Sequence, residues 1–367
     1  MAVGVVFAAL VIASMLALGA WWYAEQALAG IPTFDEVAVG HAPPPTSLAG
    51  ALPTTPTSAP LELAESGVGV EGYLVFSVGS AGVAPEEAAT IGIPPGRASQ
   101  ADNLTDTIML LLIDRASGTT GVLSIPRDTW LISRNTRVNT VYARHGAQAL
   151  AGEVVSLTGL PVTHMVAVNF AAFATLTDEV GGVEVWLPGP ARDRLTGLVV
   201  EAEGCTTLDG TTALAYVRSR HWEVPDGRGG WRPDRSADDF GRITRQHQFL
   251  RAVVAKLATP ASVARVPALV GVAQDNLIVD ADLSLADVIT LGQRFVTSPR
   301  EVEYFTLPGV PGRAGAASVL YVDEDAAAPI LDHLRGLATP APPPSLFSGS
   351  SSQEPAPPTT PATPNCP

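Results

Sequence analysis

Short apolar runs of strand length alternating with stretches of helical spacing predict an α/β fold: a three-layer α/β/α sandwich with a central mixed β-sheet, preceded by one transmembrane helix. Three observations carry this expectation. The first residues form a long uncharged run. Runs at 72–79, 106–113, 119–126, 164–169, 183–186 and 301–307 have strand lengths and end at glycine, proline or polar residues. Between them lie segments with apolar positions three and four apart.

The uncharged run extends from Ala2 to Tyr23. As a helix rising about 1.5 Å per residue it is long enough to cross a bilayer. Trp21, Trp22 and Tyr23 at its end suit a membrane–water boundary, where amphipathic rings collect. A cleaved signal peptide is the competing account, since Ala27-Leu28-Ala29 has the small-residue form of a cleavage site. The first cation in the chain is Arg97, so flanking charge does not orient this segment. The expected organisation is an anchor at 1–24, a Pro/Thr/Ser-rich linker at 25–70, a catalytic-type domain at 71–338 and a Pro/Ser/Thr-rich tail at 339–367. A spacer rich in proline, threonine and serine from His41 to Pro60 favours an exported domain on a stalk, held at the cell membrane on the extracytoplasmic side.

Within the domain, residues 72–79 predict a buried strand and 81–103 a loop. The runs 106–113 and 119–126 are joined by a four-residue turn and predict a hairpin. If Asp114 pairs with Thr119, antiparallel register places Asp106 opposite Arg127, so a carboxylate and a guanidinium meet at one sheet end. Residues 146–158 predict a helix, 164–169 a strand, 170–180 a helix broken by Gly181-Gly182, and 183–186 a strand. Cys205 falls in a loop, followed by a helix at 208–218 and a polar, glycine-rich excursion through 227–230. Ser236, with Asp239 three residues on, predicts a capped helix start at 236, the helix running to about Ala258. Helical stretches near 261–273 and 284–297, a strand at 301–307 and a helix at 324–337 close the domain.

The net charge is −14, which excludes a general nucleic-acid binder, because phosphate contacts need a basic face. Two cysteines, Cys205 and Cys366, exclude a disulfide-dense scaffold or a multi-cysteine zinc site and leave at most one bridge. The six histidines show no H-E-x-x-H spacing. Against this acidic background, arginines gather between Arg218 and Arg245. Arg242, Arg245 and Gln246 share a helical face with Phe249 and Val253, and that apolar continuation turns the face inward. Inward arginines need an anion to offset their desolvation. Arg218 and Arg220 alternate as on an extended segment and put two guanidiniums on one side. With Arg127 from the hairpin, these forked donors suit a pyrophosphate, and Asp106 among them suits Mg²⁺, which takes phosphate oxygens with one carboxylate. Arg228, Arg232 and Arg235 read as a solvated loop.

The segments 106–111 and 123–128 resemble motifs of the LytR-CpsA-Psr family of cell-wall glycopolymer ligases. Arg137-Val138-Asn139 with Tyr142, Phe170 with Phe173, Asp178 with Gly181-Gly182-Val183, residues 208–210 with 213–220, and Asp239-Phe240-Gly241-Arg242 with Arg245-Gln246 follow in the family's order. This resemblance covers about residues 72–258. It implies transfer of a glycopolymer from a polyprenyl-pyrophosphate carrier to peptidoglycan, at the outer face of the membrane, leaving a phosphodiester link. The implied partners are the lipid-linked polymer, the peptidoglycan acceptor and membrane lipid. By position, Asp106 is the implied Mg²⁺ ligand, and Arg127, Arg218, Arg220, Arg242 and Gln246 the implied pyrophosphate set. Arg245 joins the set from its helical face. Asp128 stands as a base or as an orienter of arginines. The segments around Val166, Val168 and Phe173 are expected either to line a channel for the lipid tail or to be plain core.

The chain departs from the family where Gly79-Ser80 is followed by Ala81 and Val83 in place of an aspartate and an arginine. Leu104 stands where an arginine is common, and His164 where an acidic residue is common. Glu86, Glu87 or Asp102 are candidates to supply the missing carboxylate. The alternative function is therefore a degenerate, non-catalytic relative that binds polyprenyl-phosphate lipids or wall polymer.

Overall fold

The structure, a computed structural model, describes residues 33–34, 70–78, 104–114, 117, 119–257, 277–283, 302–338 and 366. The expected membrane segment, most of the two Pro-rich regions, the 81–103 loop and the helices near 261–273 and 284–297 lie outside the described residues. No described helix is long and apolar enough to cross a membrane.

In chain order the strands and helices are β1 (Val70–Ser77), β2 (Ile108–Asp114), β3 (Thr120–Ser124), β4 (Trp130–Leu131), β5 (Thr136–Arg137), α1 (Val141–Thr158), β6 (His164–Val168) and α2 (Phe170–Glu179). Then come β7 (Val183–Leu187), β8 (Ala191–Asp193), β9 (Leu198–Val200), β10 (Gly204–Leu208), α3 (Gly210–Arg218), β11 (Glu223–Pro225), β12 (Trp231–Pro233) and α4 (Asp239–Leu257). The last are β13 (Leu277–Val279), β14 (Val302–Thr306), β15 (Gly309–Ala314), β16 (Ala317–Val322) and α5 (Glu324–Ala338).

Six strands form the central sheet in the order β13-β6-β1-β2-β3-β14. It is mixed: β1 runs antiparallel to β2 and parallel to β6, and β14 runs parallel to β3. β2 and β3 pair with Ile113 opposite Thr120 and Met109 opposite Ser124, and Asp114 donates its N–H to Thr119 O at 3.0 Å. Continued past the strand ends, this is the register that brings Asp106 level with Arg127. Period-two alternation divides the central strands between two cores. Leu74, Phe76, Leu110, Leu112 and Leu123 pack with Leu150 and Val154 of α1 and with Ile330, Leu331 and Leu334 of α5. Tyr73, Met109, Leu111, Ile113 and Val122 form the opposite face, against which Leu250 of α4 packs. Helices therefore cover both faces of the sheet.

A second, smaller body stands at one end of this sheet. The pair β7–β10 and the four strands β12-β11-β8-β9 close, with α3 and α4, around Val183, Val185, Leu187, Leu198, Tyr216, Trp222 and Phe249. Cys205 lies on a strand, β10, where the sequence predicts a loop; its partner strand is β7, with Cys205 opposite Trp186. The pattern GCTTL shows little apolar alternation because three of its five residues are exposed, which is why it escapes notice. Cys205 is bridged to Cys366. The glycine-rich excursion is the turn of the β11–β12 hairpin, where Asp226 accepts from the N–H groups of Arg228 and Gly230.

Two helix starts differ from expectation. α1 includes five residues before Gly146, but Gly146 itself is non-helical (φ 81°, ψ 179°), so the regular helix begins where the spacing predicts. α4 begins three residues later than predicted. Its cap is Asp238, whose carboxylate accepts from Gly241 N at 2.7 Å, while the Ser236 hydroxyl donates to Asp234 instead. Gly241 is required here by close approach, since a Cβ would lie 2.0 Å from Ser236 O.

Candidate functional site

A cavity of about 590 Å³ opens between the cavity-side end of the central sheet and the smaller body. Asp106, Arg127, Arg218, Arg220, Arg242 and Gln246 all line it. Apolar side chains of Phe173, Val180, Leu214, Val217, Phe249 and Val253 line it as well. Val168 and Phe173 belong to the lining; Val166 does not.

Each polar side chain is placed by the local backbone. Asp106 precedes β2 and Arg127 follows β3, so the hairpin register alone brings them together, and Arg127 Nη1 donates to Asp106 Oδ1. Ser77, the last residue of β1, accepts through its hydroxyl from the N–H groups of Asp106 (3.1 Å) and Thr107 (2.9 Å), which fixes the loop that carries the carboxylate. Thr107 in turn accepts from Gln246 Nε2 at 2.9 Å. Arg218 ends α3, with its guanidinium 4.6 Å from the centre of the Phe170 ring, within cation–π range. Arg220 leaves the following extended segment.

Arg242 is 3% exposed and sits on the first turn of α4, with Nη2 2.8 Å from Asp239 Oδ1. The same oxygen is 3.4 Å from Arg220 Nε, so one carboxylate ties two arginines together. Burial lowers the Arg242 guanidinium from its ordinary value, and Asp239 and Asp106 only partly restore it. For Arg127 the balance is the opposite: burial works against the charge, but Asp106, Asp128 and Asp239 outweigh it and raise the guanidinium. The buried Nε atoms of Arg127, Arg220 and Arg242 make no hydrogen bond. The Nε atoms of Arg137 and Arg245, which do not line the cavity, lack hydrogen bonds as well, and Arg220 Nε keeps its ion pair with Asp239.

Two of the expected site residues sit elsewhere. Arg245 shares the helix face of Arg242 and Gln246 but does not line the cavity. Its Nη2 donates to Ser219 O at 2.5 Å, its Nη1 to Ser236 O at 3.3 Å, and the guanidinium lies 4.8 Å from the Trp222 ring centre. Burial pushes it down to about 10. Three positions from Arg242, the helix has already turned it toward the smaller body's core. Asp128 also stands outside the cavity, with oxygens 3.8 Å from Arg127, 3.5 Å from Arg137 and 3.6 Å from Arg220. That placement lets Asp128 orient three arginines.

Sequence reasoning missed Asp193. Fully buried on β8, it accepts from Ser219 Oγ (2.7 Å), Arg220 N (3.0 Å), His221 N (2.9 Å) and Leu195 N (2.9 Å). Burial pushes its carboxyl up, but the donors from His221, Ser219, Leu195 and Arg220 outweigh this and hold it below the ordinary carboxylate range. Asp193 and Arg245 thus grip Ser219 from two sides, through its hydroxyl and its carbonyl, and fix the segment on which Arg218 and Arg220 are carried. The i,i+3 spacing of Asp239 and Arg242 was a signal for their pairing; nothing in the sequence marks Ser77 or Asp193. Ala81, Val83, Glu86, Glu87 and Asp102 lie outside the described residues. Leu104 is half-buried beside the site, and His164 is buried with Nδ1 3.1 Å from Asp280.

Residues 86–336 match the LytR_cpsA_psr family. The chain belongs to this family. Among similar proteins, the cell wall biosynthesis protein LcpA of Corynebacterium glutamicum is 28% identical over 273 residues, covering 65% of this chain and 50% of LcpA. The polyisoprenyl-teichoic acid–peptidoglycan teichoic acid transferase TagV of Bacillus subtilis is 25% identical over 233 residues, covering 60% of this chain and 56% of TagV. The chain thus spans about half the length of these curated relatives. In fold it resembles a LytR-Csp2A-Psr enzyme from Actinomyces oris (TM-score 0.58, 24% identity, 74% of this chain and 92% of the other). It also resembles B. subtilis TagV in the crystal (TM-score 0.56, 20% identity, 75% and 100%). These likenesses establish a mixed α/β fold around a central mixed sheet.

Proposed function

We propose that this LytR_cpsA_psr protein transfers a glycopolymer from a polyprenyl-pyrophosphate carrier to peptidoglycan, leaving a phosphodiester link. The observation that carries this is that Arg127, Arg218, Arg220 and Arg242 line one cavity together with apolar side chains that include Phe173, Val217 and Phe249. A ligand that fits both kinds of lining has a polyanionic head and a long hydrocarbon tail. The apolar side chains take part of that tail.

Phosphoryl transfer asks the protein for charge neutralisation and in-line placement more than for covalent help. The arginines grip the diphosphate and stabilise charge that develops on the departing lipid phosphate. An acceptor hydroxyl entering from the open side attacks the polymer-side phosphorus; the bond formed is acceptor oxygen to phosphorus, the bond broken is the anhydride to the lipid phosphate, and the hydroxyl proton passes to the departing phosphate or to solvent. Asp106 is the single carboxylate in the cavity wall among the described residues, and its side chain is a third exposed. One carboxylate beside a diphosphate is a donor set that fits Mg²⁺, and Asp106 would hold it together with phosphate oxygens. When bound, the ion would add positive charge to the phosphoryl oxygens.

The test is to incubate the full chain in detergent with a pyrophosphate-linked lipid sugar, with and without Mg²⁺, and to measure released lipid phosphate. Chelator-sensitive release is expected. Tight binding of lipid phosphate with no turnover, unaffected by chelator, would sink the transferase and favour the non-catalytic alternative.

A further inference from the structure

Attack by a neutral hydroxyl on phosphorus releases a proton, and a side chain that takes it as the new bond forms speeds such a step by about 10²–10⁴-fold. The cavity offers few groups for this. Among the described residues its ionisable lining consists of Asp106, Arg127, Arg218, Arg220, His221 and Arg242. A guanidinium has no acceptor atom and keeps its charge, which removes the four arginines. Asp106 already accepts from Arg127, and it is the carboxylate that would hold the cation beside the diphosphate. His221 remains.

Its placement suits the task. His221 lines the cavity and is exposed, so it stands where the cavity meets solvent. Among the described residues, no hydrogen bond, ion pair or ring contact engages the imidazole. Its main chain, in contrast, is fixed. The buried carboxylate of Asp193 accepts from His221 N at 2.9 Å and, through the same Oδ2, from Arg220 N and Ser219 Oγ, while Arg245 holds Ser219 O. The segment that presents Arg218 and Arg220 to the cavity therefore presents His221 too. The charges that share the cavity come from the loop before β2 (Asp106), the loop after β3 (Arg127), the end of α3 (Arg218), the segment that follows (Arg220) and the first turn of α4 (Arg242), with Asp193 of β8 beneath the main chain.

We propose that His221 is the general base of the transfer, taking the proton of the acceptor hydroxyl and passing it to the solvent that the ring faces. The inference rests on the transfer reaction proposed above. As the hydroxyl oxygen gives an electron pair to the polymer-side phosphorus, its O–H pair stays on oxygen and the proton moves to the imidazole. The anhydride pair leaves with the lipid phosphate. The imidazolium then gives its proton to water, and the residue is ready for another turnover. Two neighbouring roles thus share one short segment: Arg218 and Arg220 meet the phosphate charge, and His221 moves the proton.

The test uses the full chain in detergent with Mg²⁺, a pyrophosphate-linked lipid sugar and a soluble peptidoglycan glycan fragment as acceptor, with released lipid phosphate measured between about pH 5 and 9. The native chain should show log kcat falling with unit slope toward acid. His221→Gln and His221→Ala should lower kcat by about 10²–10³-fold, leave KM for the lipid within about threefold and lose that acid limb. Both should keep the native urea midpoint, because an exposed side chain is replaced. Added imidazole should restore part of the kcat of His221→Ala and none of that of Arg218→Ala. Variants that keep kcat, or that lose kcat yet keep the acid limb, overturn the base. A raised KM with kcat unchanged overturns it as well and makes His221 a binder of the diphosphate. Release by the native chain with unaffected variants sinks the base alone, whereas no release by the native chain sinks the transfer reaction and the base with it.

Discussion

Asp239 is the pivot of the arginine cluster, because it compensates Arg242 at 2.8 Å and Arg220 at 3.4 Å while itself being nearly inaccessible. Arg242→Ala leaves that carboxylate with one distant partner, and the expected loss of stability is about 3 kcal/mol, read from urea unfolding, together with loss of turnover. Arg218 rests on the face of Phe170 and lines the cavity, so its substitution probes the charge presented to the ligand. Arg218→Ala should lower kcat by about 10²–10³-fold, the usual cost of one charge-stabilising donor, with stability changed by less than about 2 kcal/mol. Asp193 acts one step back. Its folded-state carboxyl is held below the ordinary value, so its contribution to stability is present above the unfolded value of about 3.9 and is lost as pH falls through the folded value. The stability gap between the native chain and Asp193→Asn, measured by urea titration at several pH values, should be constant near neutrality and shrink below about pH 4.

At the level of elements, the β2–β3 hairpin shows how much can be read before any coordinates. Its turn length fixes the register, the register puts Asp106 across from Arg127, and the side chains meet. Strands buried on both faces were legible as continuous apolar runs, as in residues 108–113. The short strands β8, β9, β11 and β12 were not, because three residues carry no periodicity and their stability comes from tertiary packing around Trp222 and Tyr216. The helix face of α4 was legible, but its consequence for Arg245 was not: spacing states that three side chains share a face and says nothing of which neighbours each one meets. Gly241 tests the same element. With Ser236 O where a Cβ would sit, Gly241→Ala must push the first turn of α4 outward, at a cost of about 1–3 kcal/mol in thermal unfolding. Because Arg242 rides on that turn, turnover should fall by more than the unfolded fraction explains.

For the molecule as a whole, the cavity lies between two cores that are covalently reinforced on one side only. The Cys205–Cys366 bridge joins positions 161 residues apart, and it fastens the far end of the Pro-rich tail to β10 of the smaller body. Replacing both cysteines by serine should cost about 2–4 kcal/mol, seen as a lower urea midpoint under non-reducing conditions, since the open chain regains the freedom the bridge removes. The central sheet carries a different constraint. β14, the last of its strands in sequence, lies parallel against β3, one of the earliest. A polypeptide delivered N-terminus first thus exposes the flank of β3 until Val302 has emerged, since among the described residues β14 is the strand that covers it. Products that terminate before Val302 should consequently fail by sticking to one another long before they fail as catalysts.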